Sequence, residues 1–129
     1  KHLWKVKQPY TPNVAGSIAA IASLNDQDWL AAGVRNIVAE RARMGELLSE
    51  TGWLTPLHSE TNFILCRVNA AAPWRARPEL PIGKELKLLL EQRGVLVRFF
   101  DKDGLRDCIR ISVGKPQHTE ALMAALRTL

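Results

Sequence analysis

No apolar run in these 129 residues approaches the roughly 20 residues that a bilayer-spanning helix needs. The first residues also lack the charged, apolar and small-residue order of a secretion signal. The expectation is an intracellular chain with no membrane partner. Cysteine is scarce as well. Cys66 and Cys108 each sit in an apolar run, and two thiols in a domain of this size make no disulfide framework, so both are expected as reduced core residues. His2, His58 and His118 stand far apart, without ligand-like spacing to either cysteine, and no metal site is expected. Gly94, Gly104 and Gly114 punctuate strands and helices. None opens a helix in a dinucleotide-binding pattern, which leaves no phosphate-cradling glycine loop. The four tryptophans, Trp4, Trp29, Trp53 and Trp74, form no spaced set; two or three are expected to pack while Trp74 sits in a loop.

What is present is an ordinary globular balance, 47% hydrophobic and 24% charged, enough for one core. The net charge of +5 comes from Lys and Arg scattered along the chain, which fits a phosphorylated or carboxylate molecule as well as a nucleic acid.

Residues 1–12 carry Pro9 and Pro12 and no periodicity, the signature of an extended connector. Val14, Ile18, Ile21 and Leu24 then recur at helical spacing up to about Asn25, with Asn13 placed to cap the first turn. A second helix from Asp26 to about Thr51 carries the stripe Leu30, Val34, Ile37, Val38, Met44, Leu47 and Leu48, and Gly52 stops it. The period then shortens. Residues 53–57 and 63–68 read as strands separated by a polar turn, the second apolar on both alternating sides and therefore central and covered on both faces. Residues 69–81, with Pro73, Pro78 and Pro81, read as an exposed loop. A third helix from Gly83 to Arg93 buries Leu86, Leu89 and Leu90. Strands over 95–100 and 107–113 follow, joined by a turn at 101–104 into an antiparallel hairpin. A last helix begins near Pro116, leaves His118 exposed in its first turn and buries Leu122, Met123, Leu126 and Leu129. The order predicts an α/β (α+β) layer fold, an antiparallel or mixed sheet covered by helices and preceded by two helices that are also compatible with a neighbouring domain.

The hairpin carries the sharpest chemical signal. Val95, Val97 and Phe99 alternate along one strand, and Ile109, Ile111 and Val113 along the other, so these two sets share the buried face. Arg98 and Arg110 must then share the opposite face. A register pairing Phe99 with Ile109 sets the arginines directly across from each other, where like charges repel unless an anion lies between them. Two guanidinium forks suit a carboxylate or phosphate. The competing reading is that each arginine meets Asp101, Asp103 or Asp107, or simply reaches solvent.

The segment Gly-Leu-Arg-Asp-Cys-Ile-Arg-Ile-Ser-Val-Gly over 104–114 closely resembles the end of histidinol-phosphate aminotransferases. These belong to the class I and II pyridoxal-phosphate-dependent aminotransferases. Lys-Gln-Pro-Tyr over 7–10, Ser-Glu-Thr-Asn-Phe over 59–63, Gly-Val-Leu-Val-Arg over 94–98 and Pro-Gln-His-Thr-Glu over 116–120 resemble further pieces of that family in the same order. The resemblance implies that residues 13–129 are the C-terminal small domain with its leading helices, and 1–12 the connector from a cofactor domain. Arg110 then resembles the arginine that binds a substrate carboxylate and helps hold a substrate phosphate, and Arg98 its partner on the phosphate. Tyr10 and Asn13 fall where substrate contacts are candidates, although Thr11 and Pro12 break the usual run. Asn62 and Phe63 resemble a family signature read as turn capping and packing.

The family's lysine, which forms a Schiff base with pyridoxal phosphate, has no counterpart here, because neither Lys5 nor Lys7 has its context. The resemblance thus implies the following for the complete enzyme: pyridoxal phosphate, a small anionic substrate, transamination between histidinol phosphate and a 2-oxo acid, a homodimer, and a cytoplasmic or, in a plant or alga, plastid location. This chain alone is expected to be inactive, with no catalytic residue and no bound cofactor. Two other readings compete. One is a non-catalytic anion-binding or assembly module, which would use the same arginines. The other is an RNA-binding domain, which needs exposed aromatics on the central strands.

Overall fold

The computed structural model describes residues 11–129. Four helices and four strands occur among them: α1 (Val14–Asn25), α2 (Gln27–Ser49), β1 (Leu54–Pro56), β2 (Phe63–Val68), α3 (Ile82–Glu91), β3 (Arg98–Phe99), β4 (Cys108–Ser112) and α4 (Pro116–Arg127). The chain divides into two compact units, Lys1–Arg35 and Asn36–Leu129.

In the first unit, α1 starts where the side-chain oxygen of Asn13 accepts a hydrogen bond from the Gly16 amide at 2.7 Å, as the capping position requires. Its apolar positions Val14, Ile18, Ile21 and Leu24 are all exposed, as is Trp29 at the start of α2. The α2 stripe is therefore buried only in part. Val34, Ile37 and Val38 remain exposed, and Met44 and Leu48 enter the core.

The second unit is built on one antiparallel sheet of order β1-β2-β4-β3. β2 lies inside it, as its composition predicts. Ile64, Cys66 and Val68 of β2 and Ile109 and Ile111 of β4 are buried against Met44 and Leu48 of α2, Leu86 and Leu90 of α3, and Leu122, Met123 and Leu126 of α4. Covering a strand on both faces is the expectation that fails: Phe63 and Leu65 are half-buried and Arg67 is exposed, because the helices named above meet the other alternating set. The predicted strand over 95–100 shrinks to Arg98–Phe99, the edge of the sheet. Val95 instead donates to the Leu90 carbonyl at 2.9 Å, tying the chain to the end of α3, and Val95 and Val97 still pack on the core.

The loop over 69–81 forms neither helix nor strand, as its prolines dictate, but it is not wholly exposed. Trp74 is buried and meets Trp53 edge to face, with ring centres 5.3 Å apart. This corrects the expectation that Trp74 merely occupies the loop. The buried carboxylate of Glu85 holds the loop down by accepting the Ala76 and Arg77 amides at 2.8 and 2.9 Å. A second buried carboxylate, Glu40, is gripped by Arg43 through two hydrogen bonds of 2.9 and 3.1 Å. Arg43 also reaches Glu120 of α4 at 2.6 Å. Hydrogen bonding to this guanidinium holds the Glu40 carboxyl below its ordinary pKa against the opposing effect of burial.

Cys66 and Cys108 are both buried and free. Register places Cys66 opposite Ile109 on the core side and Cys108 opposite Arg67 on the other. Burial, with Cys108 nearby, pushes the Cys66 thiol up to about 12; burial and the neighbouring Asp107 also raise Cys108. At pH 8 a thiol reagent should therefore label neither cysteine in the folded chain and both in denaturant. Fast labelling of Cys66 under native conditions would contradict its burial. Gly83 marks a close approach: a Cβ there would lie 2.7 Å from the Cys108 carbonyl oxygen and 3.0 Å from that of Arg106. Gly83→Ala should lower stability by roughly 1–3 kcal/mol in urea unfolding, because backbone rather than a flexible side chain must give way.

Candidate functional site

The register of the edge hairpin decides the site. β3 pairs with β4 so that Arg98 stands opposite Arg110 and Phe99 opposite Ile109, the pairing inferred from strand alternation. Ile109 is fully buried, which sends its neighbour Arg110 to the outer face of the sheet. Leu65 of β2 stands opposite Arg110 on the other side, and Phe63 opposite Ser112. Arg110 is half-buried and Arg98 exposed.

The acids that would neutralise this pair are engaged elsewhere. Asp101 binds Arg106 at 2.9 Å, with Asp103 at 4.0 Å from the same guanidinium, and Asp107 meets Arg67 at 3.3 Å. Neither Arg98 nor Arg110 makes an ion pair among the described residues. The contrast with Arg75 is informative. Its Nη1 is also buried without a hydrogen bond, but the Glu85 carboxylate lies 3.9 Å away. The Nε–H of Arg110 is buried with no acceptor, and no acid pairs with its side chain, among the described residues. An unmet buried donor costs about 1–3 kcal/mol, more when it carries charge. Two like charges facing across a ladder add to that cost.

What lies against Arg110 is aromatic. Its guanidinium carbon stands 5.0 Å from the centre of the Phe63 ring and 5.7 Å from that of Phe100, and Arg98 stands 5.6 Å from Phe100. Sequence reasoning assigned Phe63 to packing and gave Phe100 no role. The signal was available, since Phe100 shares the side of the strand with Arg98 by alternation. Phe63 and Phe100 thus both lie on the sheet's outer face. Each has an arginine over its ring, so neither presents a bare stacking surface for a nucleic-acid base.

Tyr10 lies outside the described residues. Asn13 belongs to the first unit, where it caps α1. His58 bonds Glu60 at 2.9 Å, and Arg41 joins Glu60 at 3.1 Å and the Thr61 carbonyl at 2.9 Å, a network that pins the β1–β2 turn to α2. A groove of about 650 Å³ beside it is lined by Arg41, Glu46, Glu50 and His58 among others, and includes neither Arg98 nor Arg110. No group of three or more metal-ligating side chains occurs among the described residues, and no described helix is long and apolar enough to cross a membrane.

Pyridoxal phosphate needs a lysine amine for its aldehyde, an acid for its ring nitrogen and donors for its phosphate. The described residues do not fit it. Lys84, Lys102 and Lys115 are exposed, and Lys87 is paired with Glu91. The buried carboxylates of Glu40 and Glu85 are engaged within the core.

Comparison with known proteins places this geometry in context. The family described as aminotransferase class I and II matches residues 1–126. A histidinol-phosphate aminotransferase of Roseiflexus castenholzii is 43% identical over 126 residues, 98% of this chain and 32% of that protein. Histidinol-phosphate aminotransferase 1, chloroplastic, of Arabidopsis thaliana is 39% identical over 127 residues, 98% of this chain and 28% of its own length. Among solved structures, the histidinol-phosphate aminotransferase of Sinorhizobium meliloti in complex with pyridoxal-5'-phosphate superposes with a TM-score of 0.72 at 28% identity, covering 98% of this chain and 33% of that one. The enzyme of that name from Clostridium acetobutylicum shares the fold, with a TM-score of 0.76 at 22% identity, over 96% of this chain and 35% of its own. The chain thus spans about a third of the length of the relatives it matches.

Facing like charges predict a measurable conflict. Arg98→Ala should leave the chain as stable as the parent or more so, by roughly 0.2–1 kcal/mol at low ionic strength. The difference should fade in 0.5 M salt. A clear loss of stability in dilute buffer would mean that the Phe100 ring or another contact of Arg98 outweighs its repulsion from Arg110.

Proposed function

This chain belongs to the class I and II aminotransferases, and from that premise we propose that it is the C-terminal, substrate-orienting part of a pyridoxal-phosphate-dependent enzyme that transfers an amino group between histidinol phosphate and a 2-oxo acid. Residues 13–129 are read as the small domain with its leading helices, and 1–12 as the connector. The observation that carries the reading is the facing pair Arg98 and Arg110, which among the described residues has no acid partner and leaves the buried Nε–H of Arg110 unmet. The relatives named above support the choice of substrate.

In this reading Arg110 binds the carboxylate of an amino-acid substrate and, with Arg98, the phosphate of histidinol phosphate. A guanidinium meets either anion with paired, charge-assisted hydrogen bonds. Because Arg110 is half-buried between two rings, its attraction for an anion is less screened by water than that of an exposed side chain. The pair thereby fixes the orientation of the substrate's amine relative to the rest of the site, which is worth most when the reacting geometry is narrow. Tyr10 and Asn13 are carried as further candidate contacts. The cofactor, when bound to a complete polypeptide, supplies the electron sink and the amino carrier; these residues bind and orient. The isolated chain is accordingly read as inactive, and the complete enzyme as a homodimer of the cytoplasm or, in a plant or alga, of the plastid.

The test is Arg110→Ala in a polypeptide carrying both the cofactor domain and this one. Loss of a charge-assisted pair predicts a fall in kcat/KM of roughly 10- to 100-fold, with the cofactor's absorbance unchanged. Equal loss of activity and of cofactor absorbance would overturn the assignment, because it would place Arg110 in cofactor retention or folding.

A further inference from the structure

We propose that Phe100 is a positioning residue for the arginine pair: a single aromatic ring, shared by both guanidinium groups, that offsets their repulsion and holds them in the arrangement that receives one doubly charged oxyanion. This rests on the anion-binding reading of Arg98 and Arg110 and names what makes that site work.

Phe100 follows β3 immediately and lies on the same side as Arg98, two residues earlier. Its ring centre is 5.6 Å from the Arg98 guanidinium carbon and 5.7 Å from that of Arg110. Those two distances put one π-system within cation–π reach of both charges. The strand register forces Arg98 and Arg110 to face each other, and none of the nearby aspartates serves them. A ring presents negative charge density on its face and attracts cations. Placed against both guanidinium groups, it supplies an attraction that each feels while they repel one another. A carboxylate in the same position would do so more strongly, but it would neutralise the pair and compete with any anion. A neutral ring stabilises the cations and leaves their hydrogen-bond donors to the ligand.

Arg110 has a second ring against it, Phe63 at 5.0 Å, so its position is held from two elements, β2 and the β3–β4 turn. Arg98 is exposed, and Phe100 is its only aromatic contact among the described residues. Phe100 is therefore the residue on which the relative placement of the two guanidinium groups depends. Fixing two long side chains before the ligand arrives removes part of the ordering cost that binding would otherwise carry.

Inorganic phosphate is the probe, titrated against the 129-residue chain by NMR while the Nε–Hε signals of Arg98 and Arg110 are followed. Phe100→Leu keeps an apolar side chain and removes the ring face; Phe100→Tyr keeps the ring. Phe100→Leu should weaken phosphate binding about three- to tenfold, and Phe100→Tyr should restore it to within about twofold of the parent. Equal affinity of Phe100→Leu and the parent, or equal weakening by both variants, overturns the role of Phe100 and leaves the arginine clamp standing. A parent chain that binds no phosphate overturns the clamp and this proposal together. Should Phe100→Leu fail to fold, the parent chain still decides: nuclear Overhauser contacts from the Phe100 ring to both arginine side chains support the shared contact, and their absence for either one refutes it.

Discussion

Arg98 and Arg110 face each other because Phe99 pairs with Ile109, and Ile109 has nowhere to go but the core. The side-chain period of a strand is two, so burying Ile109 fixes the side on which Arg110 emerges, and a slip of one residue in either strand would send that strand's arginine inward. The electrostatic conflict on the outer face is thus held in place by hydrophobic burial on the inner one. Burial of a side chain such as Ile109 contributes about 1.5–3 kcal/mol, whereas facing charges on a solvated sheet cost about 1 kcal/mol or less. The core wins, and the conflict persists on the outer face, where the proposed anion would relieve it.

The rest of the second unit keeps that register in place. β2 lies between β1 and β4 and supplies the buried set Ile64, Cys66 and Val68 that packs against three helices. Gly83 allows the first turn of α3 to abut the backbone at the start of β4. Arg43, joined to Glu40 and Glu120, ties α2 to α4. The buried charges of this unit meet partners within it or, like Arg75 and Glu85, lie close to one another. Arg110, half-buried with its Nε–H buried and unmet among the described residues, departs from that pattern, and such a departure is more informative about function than exposure or charge alone.

Much of this was legible in the residues. The cap at Asn13, the order of the elements, the central place of β2 and the facing of Arg98 with Arg110 follow from periodicity, because each depends on residues near one another in sequence. Three features did not follow. Trp74 sits among prolines and reads as loop, yet it packs on Trp53 from a distant turn. Phe63 and Leu65 read as the second buried face of a central strand, but the helices named in the core cluster meet only the other face. Val95 to Val97 read as strand, but an edge position and the tie to Leu90 leave only two residues in the ladder. Each depends on which distant element arrives at a surface, information that composition and spacing do not contain.

The amino-acid sequence by itself determined the alternation that segregates arginines from aliphatic side chains, and the motif likeness that points to one family of aminotransferases. Only the tertiary structure decided that Asp101, Asp103 and Asp107 turn to Arg106 and Arg67 rather than to the facing pair, and that two phenylalanines close in around Arg110. The physical reason is that periodicity sets which side of a strand a residue occupies. Its partner is chosen by the three-dimensional course of a turn that brings residues together from separate elements.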